Sequence, residues 1–195
     1  METFFINLGL SYTWSKLLPY LLMTILGIAI GIYVFRKGKT TLMKIAAFVI
    51  MIVPFGIYFA VNPIYQGDFT NESRIVNRSA DMDELTGEKL VMIAMPGCPY
   101  CMQAIDLLKA LKKQHPEVQI EFIVTSSEPA NLEPYTKKIN GAFPSRAATN
   151  PEAMAKLAEG RFPSFVLVDE EDPFEVWNNN TFGVCALDEV VDSFD

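Results

Sequence analysis

The chain has 195 residues, half of them hydrophobic, with 16 basic and 23 acidic side chains and a net charge of −7. That length suits one domain with additions, or two small ones. The acidic balance, with no basic stripe, argues against nucleic acid as a partner, and three cysteines and one histidine that repeat no ligand spacing argue against a four-ligand zinc site.

The hydrophobic excess is local. Residues 17–35 carry no charge and are bounded by Lys16 and by Arg36 and Lys37. Such a run is long enough to cross a bilayer core of about 30 Å. Residues 45–61 form a second run, between Lys44 and Asn62. Residues 1–61 therefore read as a membrane anchor with two transmembrane helices (17–35 and 45–61) and the lipid bilayer as partner; the first run is too long and starts too late for a cleaved signal peptide. It contains Gly27 and Gly31, a G-x-x-x-G pattern that lets another helix approach closely. Neither run has a charge in its middle, so the pair reads as an anchor and not as an ion path. The loop 36–44 holds Arg36, Lys37, Lys39 and Lys44 and no acid, which puts it in the cytoplasm by the positive-inside rule. In a bacterial cell the expected location is the inner (cytoplasmic) membrane. The C-terminal domain then lies on the periplasmic side, where disulfides persist.

Residues 62–88 read as a polar linker that lifts the domain off the bilayer, with a helical turn at 80–85 capped by Ser79. From 89 to 195 the pattern alternates as in an α/β domain. A strand at 90–95 leads to a helix at 99–113, which His115-Pro116 ends. A strand at 118–125 follows, parallel to the first through a right-handed crossover. A polar insert spans 126–149, with a helical stretch at 131–139. Asn150 caps a short helix that Gly160 ends, followed by a strand at 164–168, an acidic turn at 169–173, a strand at 174–177 and a helix at 184–194. Residues 1–88 hold seven basic and seven acidic side chains, and residues 89–195 nine and sixteen. The acidic surface reads as solvated, or as steering for a basic partner.

The chemistry is concentrated in Met95-Pro96-Gly97-Cys98-Pro99-Tyr100-Cys101-Met102. A strand, a Pro-Gly turn and a helix opening on C-x-x-C is the setting of a redox dithiol. Cys98 takes the N-cap position at an exposed helix tip, and Pro99 the first helical position, where its missing N–H costs nothing. The helix N-terminus faces the Cys98 sulfur and lowers its pKa, into a range of about 3.5–7.5 for such thiols. Cys98 is the candidate nucleophile, and Cys101, one turn on, the resolving thiol. Two other readings stay open. The pair is a structural disulfide, or it belongs to a Cu(I) site with Met95 and Met102, although Met92, Met95 and Met102 also serve as core fillers. Cys185 reads as a small buried hydrophobe or as a second exchange partner.

Residues 89–195 resemble the thioredoxin fold, and Cys98-Pro99-Tyr100-Cys101 is the tetrad typical of glutaredoxins. Arg161-Phe162-Pro163-Ser164, just ahead of a strand, is similar to the superfamily's cis-proline landmark. The resemblance implies a central mixed sheet flanked by helices, preceded by the transmembrane hairpin. It also implies a cis Pro163 facing the dithiol, with the Phe162 backbone pairing with an extended substrate strand. Gly97 stands where thioredoxins carry Trp, and the strand before it offers no acid beneath the pair. The expected activity is a membrane-anchored thiol–disulfide oxidoreductase acting on protein thiols and disulfides, with a membrane redox partner and with no cofactor or metal. The alternative is a copper-handling chaperone or a non-catalytic thioredoxin-fold subunit of a membrane complex.

Overall fold

Two long helices lie near the N-terminus, and each begins on a hydroxyl cap. The structure is a computed structural model that describes residues 2–6, 8, 10–64, 66–169 and 173–194; residues 170–172 of the expected acidic turn lie outside the described residues. A short helix, α1 (Glu2–Ile6), precedes α2 (Tyr12–Lys37) and α3 (Thr41–Val61). The Ser11 hydroxyl accepts from the Trp14 N–H and the Thr40 hydroxyl from the Met43 N–H, which satisfies donors that a helix start leaves open. Arg36 and Lys37 fall in the last turn of α2, at the negative end of its dipole. Both helices are long and apolar enough to cross a membrane. Residues 17–35 and 45–61 lie inside them.

The two helices pack on one another through the glycines. Gly27 and Gly31 are buried. A Cβ on Gly27 would meet the Met51 carbonyl, and one on Gly31 the Met51 side chain. The G-x-x-x-G pattern thus serves close packing within the hairpin. At the open end, the Tyr20 ring stands edge-on to Tyr58 at 4.8 Å, and its hydroxyl donates to the Asn62 carbonyl.

The rest is a thioredoxin-like α/β fold. Its strands are β1 (Arg74–Val76), β2 (Lys89–Ala94), β3 (Ile120–Val124), β4 (Ser145–Ala147), β5 (Ser164–Val168) and β6 (Phe174–Asn178). They lie in the order β1-β6-β5-β2-β3-β4. β2, β3 and β4 are parallel, and β5, β6 and β1 run antiparallel to their neighbours. The helices are α4 (Pro99–Gln114), α5 (Glu133–Ile139), α6 (Pro151–Leu157) and α7 (Val184–Asp192). β2 is a central strand covered on both faces, which is why Leu90 to Ala94 is continuously apolar and fully buried. On one face Leu90 and Met92 pack with Ile105 and Leu108 of α4 and Val190 of α7. On the other, Val91 and Ile93 pack with Met154 and Leu157 of α6.

Two expectations are corrected. Residues 62–88 are not a spacer. Arg74–Val76 adds an edge strand, in register Arg74↔Val176 and Val76↔Phe174, and Leu85 is 1 % exposed in the core. Glu84 accepts from the Thr149 and Asn150 N–H groups at 3.0 and 3.1 Å and pairs with Arg146. A three-residue strand is too short to show alternation, and the Glu84 bonds span more than sixty positions, so neither leaves a local signature. Ser79 precedes a 3-10 turn, Ala80–Met82, without a side-chain cap bond. Second, the insert 126–149 contributes β4 to the sheet, beside the helix expected within it.

The first turn of α2 is fastened to the sheet domain. Asp188 of α7 accepts from the Tyr12 N–H at 2.5 Å and the Thr13 N–H at 2.9 Å. With Ser11 on Trp14, the first three open donors of α2 all have partners. The Tyr12 hydroxyl bonds Gln114 at 2.6 Å, and Lys16 forms a largely buried ion pair with Asp68.

Candidate functional site

The site grows from the end of β2. After Ala94 the chain turns through Met95-Pro96-Gly97 and enters α4. Gly97 has φ +71°, a conformation that side-chain-bearing residues rarely adopt, which accounts for glycine where thioredoxins carry Trp. Cys98 is the N-cap and Pro99 opens the helix. Cys98 and Cys101 form a disulfide with a Cα–Cα distance of 5.3 Å. The Cys98 Sγ also accepts from the Cys101 N–H at 3.1 Å. The sulfur thus sits at the positive end of the α4 dipole and receives a backbone N–H.

The second landmark lies alongside. Ser164 pairs with Ile93 in the β5–β2 ladder, so Phe162-Pro163 sits at the end of β2 from which the cysteine loop departs. The Phe162–Pro163 peptide bond is cis, the isomer the resemblance implied. Pro163 is buried, and Phe162 packs at the margin of both core clusters.

The expected exposed tip is corrected. Cys98 is 3 % exposed and Cys101 is fully buried. Both sulfurs turn into the cluster formed by α4 and the sheet, where Cys98 is held by the disulfide and by the Cys101 N–H. The exposed rim is Met95, at 46 %, Gly97, Pro99 and Tyr100, at 59 %. Met92 is core and Met102 packs against it, but Met95 is not a core filler.

One residue at the site escaped the sequence reading. Tyr135, on α5, is 1 % exposed, and its hydroxyl accepts from the Cys98 N–H at 3.0 Å and donates to the Met95 carbonyl at 2.6 Å. Burial raises the phenol pKa, and the N–H groups of Cys98 and Gly97 offset part of that rise. The spacing of Tyr135 and Ile139 marks an inward helix face, but nothing local points from residue 135 to residue 98.

Beside the α4 start lies an open cavity of about 710 Å³, lined among others by Asp68, Tyr100, Gln103, Asn180 and Gly183. Cys185 is elsewhere, at the junction of α7 and α2. It is half-buried, with its Sγ 3.5 Å from the Asp68 carbonyl and 3.6 Å from the Thr13 hydroxyl. Among the described residues, no cluster of three or more His, Cys, Asp or Glu side chains is placed to hold a metal ion.

No protein-family model and no curated protein matches the sequence. Among solved structures, the chain is similar to a secreted disulfide oxidoreductase of Mycobacterium tuberculosis described as homologous to E. coli DsbE. That likeness has 19 % identity and a TM-score of 0.44, and covers 57 % of this chain and 85 % of the other. A putative thiol:disulfide interchange protein DsbE from Chlorobium tepidum aligns at 10 % identity and TM-score 0.45, covering 66 % and 96 %. A SCO1/SenC family lipoprotein from Bacillus anthracis aligns at 14 % identity and TM-score 0.40, covering 66 % and 95 %.

Proposed function

We propose that the protein is a membrane-anchored thiol–disulfide oxidoreductase acting on protein substrates. The observation that carries this reading is the Cys98–Cys101 disulfide at the start of α4, beside a cis Pro163. The two apolar helices support the anchor. Basic residues in the loop between them support a cytoplasmic loop and a periplasmic domain at a bacterial inner membrane.

In the oxidising direction, a substrate thiolate attacks the Cys98 sulfur. The Cys98–Cys101 bond breaks, a mixed disulfide forms on Cys98, and Cys101 leaves as a thiolate. A second substrate thiolate then attacks the substrate's own sulfur in the mixed disulfide. This closes the substrate disulfide and releases Cys98, whose negative charge the α4 N-terminus stabilises. Two electrons have moved from the substrate to the pair. The reducing direction is the same sequence reversed, and the reduction potential of the pair against its surroundings sets which one runs. The Phe162 backbone, next to the cis bond, is the candidate strand partner for an extended substrate. Because Cys98 is almost covered, the cysteine turn must shift to admit a substrate sulfur.

The test is a redox titration of the full-length protein in detergent, followed by thiol labelling, with turnover on a disulfide peptide in parallel. A two-electron transition and turnover lost in Cys98→Ser support the reading. Turnover unchanged in Cys98→Ser overturns it. Stoichiometric Cu(I) binding by the reduced pair without turnover points to copper handling instead.

A further inference from the structure

We propose that the domain is held with its dithiol end against the membrane surface, so that its redox partner is a membrane-embedded polypeptide presenting cysteines at the bilayer interface. This rests on the oxidoreductase reading and its membrane redox partner, and adds where that partner meets the dithiol.

The direction of α2 carries the inference. Tyr12, in its first turn, bonds Gln114 at the C-terminal end of α4. Lys16, one turn later, pairs with Asp68, which lines the same cavity as Tyr100 and Gln103 at the N-terminal end of α4. The same order holds along α7. Asp188 holds Tyr12 and Thr13, Cys185 in the first turn of α7 lies beside Thr13, and Gly183 before it borders the cavity. α2 therefore runs antiparallel to α4 and α7 and leaves the domain at the end that carries the cysteines. Its charge-free stretch begins at Leu17, immediately after Lys16. The membrane surface then starts next to the dithiol and not at the far end of α4, about 22 Å away at 1.5 Å per residue.

The return path agrees. Asn62, just past α3, bonds Tyr20 of α2, and by Gly67 and Asp68 the chain already borders the cavity. A connection this short leaves no length for the domain to swing away. The exposed side chains beside the pair, Met95 and Tyr100, are apolar or amphipathic and suit an interface.

Two measurements on the full chain in lipid vesicles test this. In the first, a fluorophore is placed at exposed Gln103→Cys or exposed Lys113→Cys, each in a Cys185→Ala background with the Cys98–Cys101 disulfide intact. Brominated lipids act as quencher. These sites lie near opposite ends of α4, about 15 Å apart. Several-fold stronger quenching at 103 is expected; equal quenching, or stronger quenching at 113, overturns the proposal. In the second, a disulfide peptide is anchored to the same vesicles by an acyl chain through a stiff proline spacer, which extends about 3.1 Å per residue. Exchange is expected to be fastest with a spacer of two or three residues and several-fold slower with fifteen. A rate that rises with spacer length overturns the proposal. Loss of exchange with free peptide in detergent would instead sink the oxidoreductase reading, and the quenching result would stand apart from it.

Discussion

Tyr135 holds the backbone on both sides of the cysteine turn, taking the Cys98 N–H and giving its own proton to the Met95 carbonyl. The loop that aims the first sulfur is thereby tied to α5, a helix in the segment between β3 and β4. Tyr135→Phe leaves the ring in place and removes both bonds. The Met95 carbonyl loses its phenol donor, and the Cys98 N–H keeps only its 3.3 Å contact to that same carbonyl. We expect a loss of about 1–3 kcal/mol in stability by denaturant titration. We also expect a shifted redox midpoint for the Cys98–Cys101 pair. An unchanged midpoint would reduce Tyr135 to a packing residue.

Leu85 is part of the core although it precedes the central strand. Leu85→Ala should destabilise the domain by about 2–5 kcal/mol. A fragment starting at Lys89 should fail to show a cooperative transition, since it also lacks β1 and the Glu84 bonds. Cooperative unfolding of that fragment, matching the full chain, would contradict this.

Replacing Gly31 by leucine puts a side chain where the Met51 side chain already lies. The hairpin should open. Cross-linking yield between cysteines introduced on facing turns of α2 and α3 should fall several-fold in vesicles, with the redox midpoint of the pair retained.

Glu189, on α7, has its carboxyl pKa pushed from the ordinary 4.5 up to about 7, by burial first and then by the neighbouring Glu175 carboxyl. The folded chain binds this proton more tightly than the unfolded chain. Its contribution to stability is therefore full below pH 4.5 and is lost as the pH rises through about 7. Glu189→Gln should flatten that fall and raise the melting midpoint at pH 8, by about 2–4 °C for each kcal/mol relieved. Melts at pH 5 and pH 8 check it: a gain equal at both would remove Glu189 as the cause.

Much of the dithiol site was legible because its signals are local. Cys98 as N-cap, Pro99 in the first turn and a Phe-Pro pair before an apolar strand each declare themselves within a few residues. The apolar runs of α2 and α3 are equally plain. What stayed hidden depends on partners far along the chain. Tyr135 and Cys98 are 37 positions apart, Asp188 and Tyr12 are 176 apart, and β1 finds its mate a hundred residues downstream. The near-complete covering of Cys98 was also beyond the sequence, since a C-x-x-C looks the same whichever way its sulfurs turn.

The backbones of Gly67 and Gly183 touch, with no room for a methyl group on either. One glycine follows the hairpin and the other introduces the last helix, so the hairpin and the sheet domain must be cut to fit each other. A chimera that grafts residues 69–195 onto a foreign hairpin would keep the cysteines, β1 and Leu85 and lose that seam. Such a hybrid should hang loose on its tether, and exchange of anchors between proteins of this architecture should succeed only where the glycine pair travels with them.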